Sequence, residues 1–294
     1  MGRHAGPGAG HRAGPPLTRV GAAEAGTSPA LSGLRALVRD RQLTAYLLLA
    51  VALSWAWWVP VAVTGGTVSH VPGLLGPMLA AVAVTAATGG RAGLRRLRGR
   101  LGAPRWWLVA LLPLPVAATV AAVAHVTGDG PAPGDFAVMP GIPAWSWPAV
   151  LLVLLVVNGL GEEVGWRGLA WTRLRRRLGL RDAALVLTVP WALWHLPLFW
   201  IDSGLADLSP LVLPGWLLGL ACGSVVLGWL YERSGSVGVV ALAHTAVNVA
   251  SGTRGGEGLV AAVVSAGVIA AAMAVLAADR RAAARRVRDA VVRA

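Results

Sequence analysis

Long apolar runs alternate along the chain with short breaks rich in arginine or in glycine and proline. No Asp, Glu, Lys or Arg occurs between Arg41 and Arg91, and the one histidine of that stretch is His70. A run of this length fits two membrane-spanning helices of about 20 residues each. The runs are continuous rather than alternating, which argues against a transmembrane barrel. Extended along the chain, the pattern predicts eight spans, at 43–64, 72–89, 106–127, 147–171, 183–200, 211–231, 236–252 and 258–278. The expected fold is all-α, a polytopic membrane helical bundle of about eight transmembrane helices. Span two opens on Pro72 and contains Pro77, and span seven is short.

The flanks read differently. Residues 1–30, rich in Gly, Ala, Pro and Arg, have little to bury and are expected to form a disordered tail. The first apolar run starts near Leu43, too late for a signal peptide. Leu31, Leu34, Leu37 and Val38 recur at helical spacing beside Arg35, Arg39 and Arg41, which predicts an interfacial helix over 31–42. N-terminal transmembrane helices then occupy 43–146 and a core with polar residues inside its spans occupies 147–252. The last transmembrane helix and a basic cytoplasmic tail make up 253–294.

Composition supports a membrane protein and adds an orientation. Of 294 residues, 56% are hydrophobic and 13% charged, about half the ~25% charged content of a soluble domain. The net charge is +13, and all 26 basic residues are arginine. In a soluble chain this would suggest nucleic acid. Here the arginines cluster between spans, so the bilayer is the expected partner and nucleic acid is not. With the N-terminus in the cytoplasm, 24 of the 26 fall in inside loops and tails; Arg254 lies outside and Arg167 within a span. The positive-inside rule then puts both termini in the cytoplasm of a multi-pass protein. Many of the 14 tryptophans, including Trp106, Trp107, Trp145, Trp147 and Trp171, lie near span ends and are expected to form interfacial belts. The single cysteine, Cys222, excludes an internal disulfide, a zinc finger or an iron–sulfur site.

A few ionisable groups break the apolar rule: Glu162, Glu163 and Arg167 in span four, His195 in span five, and His244 with Asn248 in span seven. Each ionisable group costs roughly 2.5–3.5 kcal/mol to insert at a helix centre, which makes these residues functional candidates. Glu163 and Arg167 are four apart and share a helix face, so they are natural partners. Glu162 lies about 100° around the helix and is left for chemistry, with Asn158 and Trp166 each four residues away. Gly161 and Gly165 allow a neighbouring helix to approach closely. Glu162, His195 and His244 fall about 15, 18 and 12 Å from the cytoplasmic ends of their spans at 1.5 Å per residue. They are therefore expected to converge. Trp191 with His195, and His244 with Asn248, are further pairs four apart, and Pro190 and Pro197 bracket His195.

A glutamate and a histidine can together activate water, and a second histidine with an asparagine can donate to an oxyanion. That set suits hydrolysis of an amide by direct water attack. The same residues could hold zinc, with Glu163, His195 and His244 as ligands and the remaining glutamate as base. There is no His-Glu-x-x-His zinc helix and no intramembrane aspartate pair, and a serine–histidine dyad from Ser224 or Ser236 with His244 would leave both glutamates unexplained. A non-catalytic scaffold or immunity protein is one alternative. A transporter with a carboxylate proton relay is another, although no internal repeat supports it.

Glu162-Glu163-Val164-Gly165-Trp166-Arg167 resembles the EExxxR motif of the CPBP intramembrane proteases, the CAAX prenyl endopeptidase and bacteriocin-processing group also called the Abi family. Trp191-xxx-His195 resembles the second motif of that family, which usually has Phe at the first position. His244-xxx-Asn248 resembles the third. All three occur in order on separate predicted helices, over about 150–252. The resemblance implies an intramembrane endopeptidase in which Glu162 and His195 activate water and His244 and Asn248 form the oxyanion hole. Glu163, Arg167 and Trp191 would support them. It implies a peptide or membrane-protein substrate and no cofactor, with zinc as the older alternative for such proteins. The all-Arg, Ala- and Gly-rich chain resembles those of high-GC bacteria, which places the protein in a bacterial cytoplasmic membrane, where prenylated CAAX substrates are not expected.

Overall fold

A computed structural model describes residues 41–65, 68–98, 100, 104–128, 130–143, 145–201, 204–206 and 208–293. The tail expected over 1–30 lies outside these residues, as does the interfacial helix expected over 31–42 except for Arg41 and Gln42. The described residues contain helices and no strand. They form α1 (Gln42–Thr64), α2 (Gly76–Arg98), α3 (Trp107–Thr127), α4 (Trp147–Leu174), α5 (Leu180–Trp194), α6 (Leu213–Ser234), α7 (Val237–Gly252) and α8 (Leu259–Arg293). Single-turn 3-10 segments lead into α2 (Val71–Leu75) and follow α5 (Leu196–Trp200). This is a polytopic helical membrane bundle.

The local reasons are plain at several ends. α1 stops at Gly65, which takes φ 59° and returns its N–H to the Val61 carbonyl, the left-handed stop that glycine allows without strain. α2 breaks at Gly90 (φ 53°, ψ −153°), where span two is expected to end, and the basic stretch to Arg98 continues beyond the kink. Pro190 sits inside α5, and His195 closes that helix before Pro197 enters the 3-10 turn.

Seven helices, or helix–turn units, have the length and composition to cross a bilayer. Their outward faces carry large apolar side chains such as Leu48, Val63, Leu108, Val126 and Leu211, a surface that suits lipid rather than water. The expected seventh span is different. α7 has 16 residues, or about 24 Å against a ~30 Å hydrocarbon core. It is enclosed by α3, α4, α6 and α8 and is buried at Val237, Val240, Ala241, Ala243, His244 and Ala246 among others. A helix packed on all sides by protein does not need to match the lipid thickness itself.

Close approach to α4 depends on its glycines. A Cβ on Gly161 would lie 2.9 Å from the Leu74 carbonyl oxygen, and one on Gly165 would lie 2.6 Å from that of Pro77. The segment leading into α2, and α2 itself, therefore lie directly on the helix that carries the glutamates.

The tryptophans are less interfacial than the span ends suggest. Trp107 and Trp145 are exposed, but Trp58, Trp166, Trp171 and Trp194 are fully buried. Three of these form an internal aromatic wall, Trp58 and Trp166 lying 4.8 and 6.0 Å from the Trp194 ring. Trp58 Nε1 donates to the His70 carbonyl and Trp194 Nε1 to Ser54 Oγ, both at 2.7 Å. Satisfied indole N–H groups allow a large polar-edged ring to sit inside the bundle.

Candidate active site

The helix carrying both glutamates is not uniformly α-helical. Leu154–Leu160 and Trp166–Trp171 run as π-helix on either side of one α-helical stretch, Gly161–Gly165. Such wide turns are rare and are often found at functional sites. Glu162 and Glu163 lie in the α-helical stretch between them and face different neighbours.

Glu162 is 2% exposed. Its Oε1 accepts from Asn158 Nδ2 at 2.8 Å and its Oε2 from Trp191 Nε1 at 2.9 Å. Both donors are neutral. Asn158 is itself held, because its Oδ1 accepts from Asn248 Nδ2 on α7. The carboxylate is thus fixed by one donor on each oxygen, with lone pairs remaining on both.

Glu163 is engaged differently. Its Oε1 accepts from Arg167 Nη1 and contacts His244 Nδ1, both at 2.8 Å. Glu163 and Arg167 have no exposed surface. The Arg167 guanidinium also lies 4.4 Å above the Trp191 ring, a favourable cation–π position. One tryptophan therefore holds Glu162 with its edge and supports Arg167 with its face. Trp191→Phe keeps the face and loses the N–H, whereas Trp191→Leu loses both. The melting temperature in detergent is expected to fall in the order wild type, Phe, Leu, with about 0.5–2 kcal/mol of the Phe-to-Leu step from the cation–π contact. Equal values for Phe and Leu would show that the stacking contributes nothing.

His195 Nδ1 lies 2.7 Å from the Trp191 carbonyl oxygen. A carbonyl can only accept, so Nδ1 carries the hydrogen and Nε2 of the neutral ring is an acceptor. The ring stands edge-on to Trp194 and Trp216, at 4.8 and 5.6 Å. The His244 ring is placed by the same logic: Nδ1 faces Glu163, and Nε2 points away from it.

The structure brings the sequence-derived candidates together. Asn158 links Glu162 to Asn248, and the Trp191 ring lies 5.9 Å from both imidazoles. His195 reaches Glu162 through Trp191, not through a direct hydrogen bond. Trp166, expected near Glu162, packs instead between Tyr46 and Trp194. Sequence reasoning does not single out Tyr46. Its hydroxyl is buried where a side chain at Gly165 would lie, and its ring is 5.6 Å from Trp166. The one signal for it was a phenol in a span otherwise lacking ionisable groups.

The zinc set can be tested against these positions. Glu163 Oε1 is already shared by Arg167 and His244, whereas His195, with Nδ1 on a backbone carbonyl, keeps Nε2 free. Among the described residues, no three His, Cys, Asp or Glu side chains come together as a metal-holding group.

Residues 143–250 match the family described as type II CAAX prenyl endopeptidase Rce1-like. A 53-residue stretch is 38% identical to CAAX prenyl protease 2 of Methanococcus maripaludis, covering 18% of this chain and 20% of that protein. The chain thus matches about a fifth of that curated relative's length. The matched region, which holds the whole polar cluster, is thus similar to CAAX-type prenyl endopeptidases.

Proposed function

We propose that the protein is an intramembrane endopeptidase that hydrolyses a peptide bond by direct attack of water, without a metal. The observation that supports this most strongly is the contrast between adjacent glutamates. Glu163 is neutralised by Arg167 and His244, while Glu162 is held only by the neutral donors Asn158 and Trp191. Glu162 is the general base, removing a proton from water as it attacks the substrate carbonyl. His195 Nε2 accepts from the same water and, once protonated, delivers the proton to the leaving amine. His244 Nε2, as donor when that ring is protonated, and the second amide hydrogen of Asn248 stabilise the oxyanion. Glu163, Arg167 and Trp191 hold these groups in place. The substrate is a peptide or membrane protein that enters from the bilayer.

Cleavage by the purified chain in detergent tests this reading. A lipidated peptide of CAAX type and unmodified transmembrane peptides should be compared by mass spectrometry. We expect cleavage of at least one set by wild type; none in either would favour a scaffold or transporter with the same fold.

Asn248→Ala separates glue from catalysis. Interhelical hydrogen bonds in membranes average about 0.6 kcal/mol, so stability should change little. Loss of an oxyanion donor lowers kcat by about 10²–10³. The mutant should bind peptide normally and cleave it that much more slowly in a single turnover. An unchanged rate would remove Asn248 from the mechanism.

We also propose a bacterial cytoplasmic membrane with both termini inside. Reporter fusions at Asp129 and Asp202 should read as external and one at Arg176 as internal, as the arginine distribution requires. The opposite readings would invert the protein and move the access to its site to the other face.

A further inference from the structure

Most of the described arginines are exposed, but Arg100 and Arg173 are half-buried at the end of α4. Their hydrogen bonds go to neutral acceptors. Arg100 Nη1 donates to the Gly168 carbonyl oxygen at 2.8 Å. Thr172 Oγ1 donates to the Leu169 carbonyl oxygen at 2.7 Å and accepts from Arg173 Nη1 at 3.1 Å. Arg173 Nε and Nη2 both donate to Gln42 Oε1, at 3.0 and 2.6 Å. The Tyr231 hydroxyl, on α6, lies within electrostatic range of both Arg100 and Arg173. Among the described residues, the charged and titratable groups acting on Arg173 are Arg176, Arg100 and Tyr231, none of them a carboxylate. Glu232, the acid at this end of α6, is occupied by Arg175 and by Trp171 Nε1.

Guanidinium groups gathered from the segment before α3 and the end of α4, with a tyrosine from α6, form a cationic cluster with no carboxylate partner among the described residues. The cluster sits at bilayer-surface level, because the apolar span of α4 ends at Leu174. Trp106 and Trp229 pack edge-on near this end at 6.1 Å, with Arg233 over Trp229 at 5.9 Å, an arrangement suited to the headgroup region. We propose that Arg100, Arg173 and Tyr231 bind the phosphodiester headgroup of an acidic phospholipid, with Arg176 adding charge at the rim. Planar guanidinium forks match phosphate oxygens in pairs. The Tyr231 hydroxyl beside them has a hydrogen to donate to a phosphate oxygen. Because Arg100 also holds the Gly168 carbonyl of the second π segment, the lipid would brace the helix that carries the glutamates. The proposal depends on the membrane fold and not on the protease reading.

The test uses the full chain in a neutral detergent, titrated with phosphatidylglycerol, phosphatidylcholine or inorganic phosphate. Melting temperature and lipid retained in native mass spectrometry are the readouts. Phosphatidylglycerol should raise the melting temperature and be retained, and neither of the other two should. Arg173→Gln or Arg100→Gln should each weaken phosphatidylglycerol binding about fivefold or more, since a basic residue at a lipid surface contributes about that factor. Arg285→Gln, on the outer end of α8, should leave it unchanged. If Arg173→Gln is lost on purification, Arg176→Gln, whose side chain is exposed, must show the weakening. Equal stabilisation by phosphatidylcholine or inorganic phosphate, or wild-type binding by the arginine variants, would overturn the proposal.

Discussion

Glu162→Gln is expected to yield a folded, membrane-inserted protein whose cleavage rate falls by at least about 10²–10⁴, the range that general acid–base catalysis contributes. The structure explains why folding should survive. Glu162 accepts from Asn158, which in turn accepts from Asn248. A replacement amide can keep its oxygen on Asn158, so that the Asn158–Asn248 hydrogen bond and the Asn248 donor stay in place and only the bond from Trp191 Nε1 is given up. What disappears is the proton acceptor. Melting temperature, membrane yield and single-turnover rate should be measured on the same preparation. Turnover at the wild-type rate would remove Glu162 as the base.

Glu163→Gln should show the reverse pattern. Arg167 is fully buried, its Nε and Nη2 have no partner among the described residues, and it depends on Glu163 and the Trp191 face. Removing one charge of a buried pair costs about 3–5 kcal/mol, because the other is left uncompensated. A clear loss of melting temperature and yield is therefore expected, whatever happens to activity. Removing both charges, as in Glu163→Gln with Arg167→Met, should recover part of that loss. If the double variant is no more stable than Glu163→Gln alone, the pair is not what holds these helices.

Much of this was legible in the sequence because lipid leaves the backbone few choices. Every spanning N–H and C=O must be satisfied within its own segment, so long apolar runs become helices. The expected span 43–64 is the helix Gln42–Thr64, and 106–127 is Trp107–Thr127. Four-residue spacing likewise anticipated the contacts of Glu163 with Arg167 and of Asn158 with Glu162. The missing features depend on tertiary contact. The π segments of α4 reflect a shift in hydrogen-bond register that no residue type announces. Trp171 lies at a span end by sequence but is buried, its N–H donated to Glu232 on α6. His244 was expected at an oxyanion, and its meeting with Glu163 across helices could not be read from either segment alone.

Water attack without a metal is tested most directly by one turnover of metal-stripped enzyme in water enriched in oxygen-18. The mechanism predicts undiminished cleavage, one heavy oxygen in the new carboxylate of the peptide, and no peptide covalently held by the protein. Loss of cleavage on stripping with recovery on added zinc would contradict it. So would a first-turnover product carrying unlabelled oxygen taken from an enzyme carboxylate.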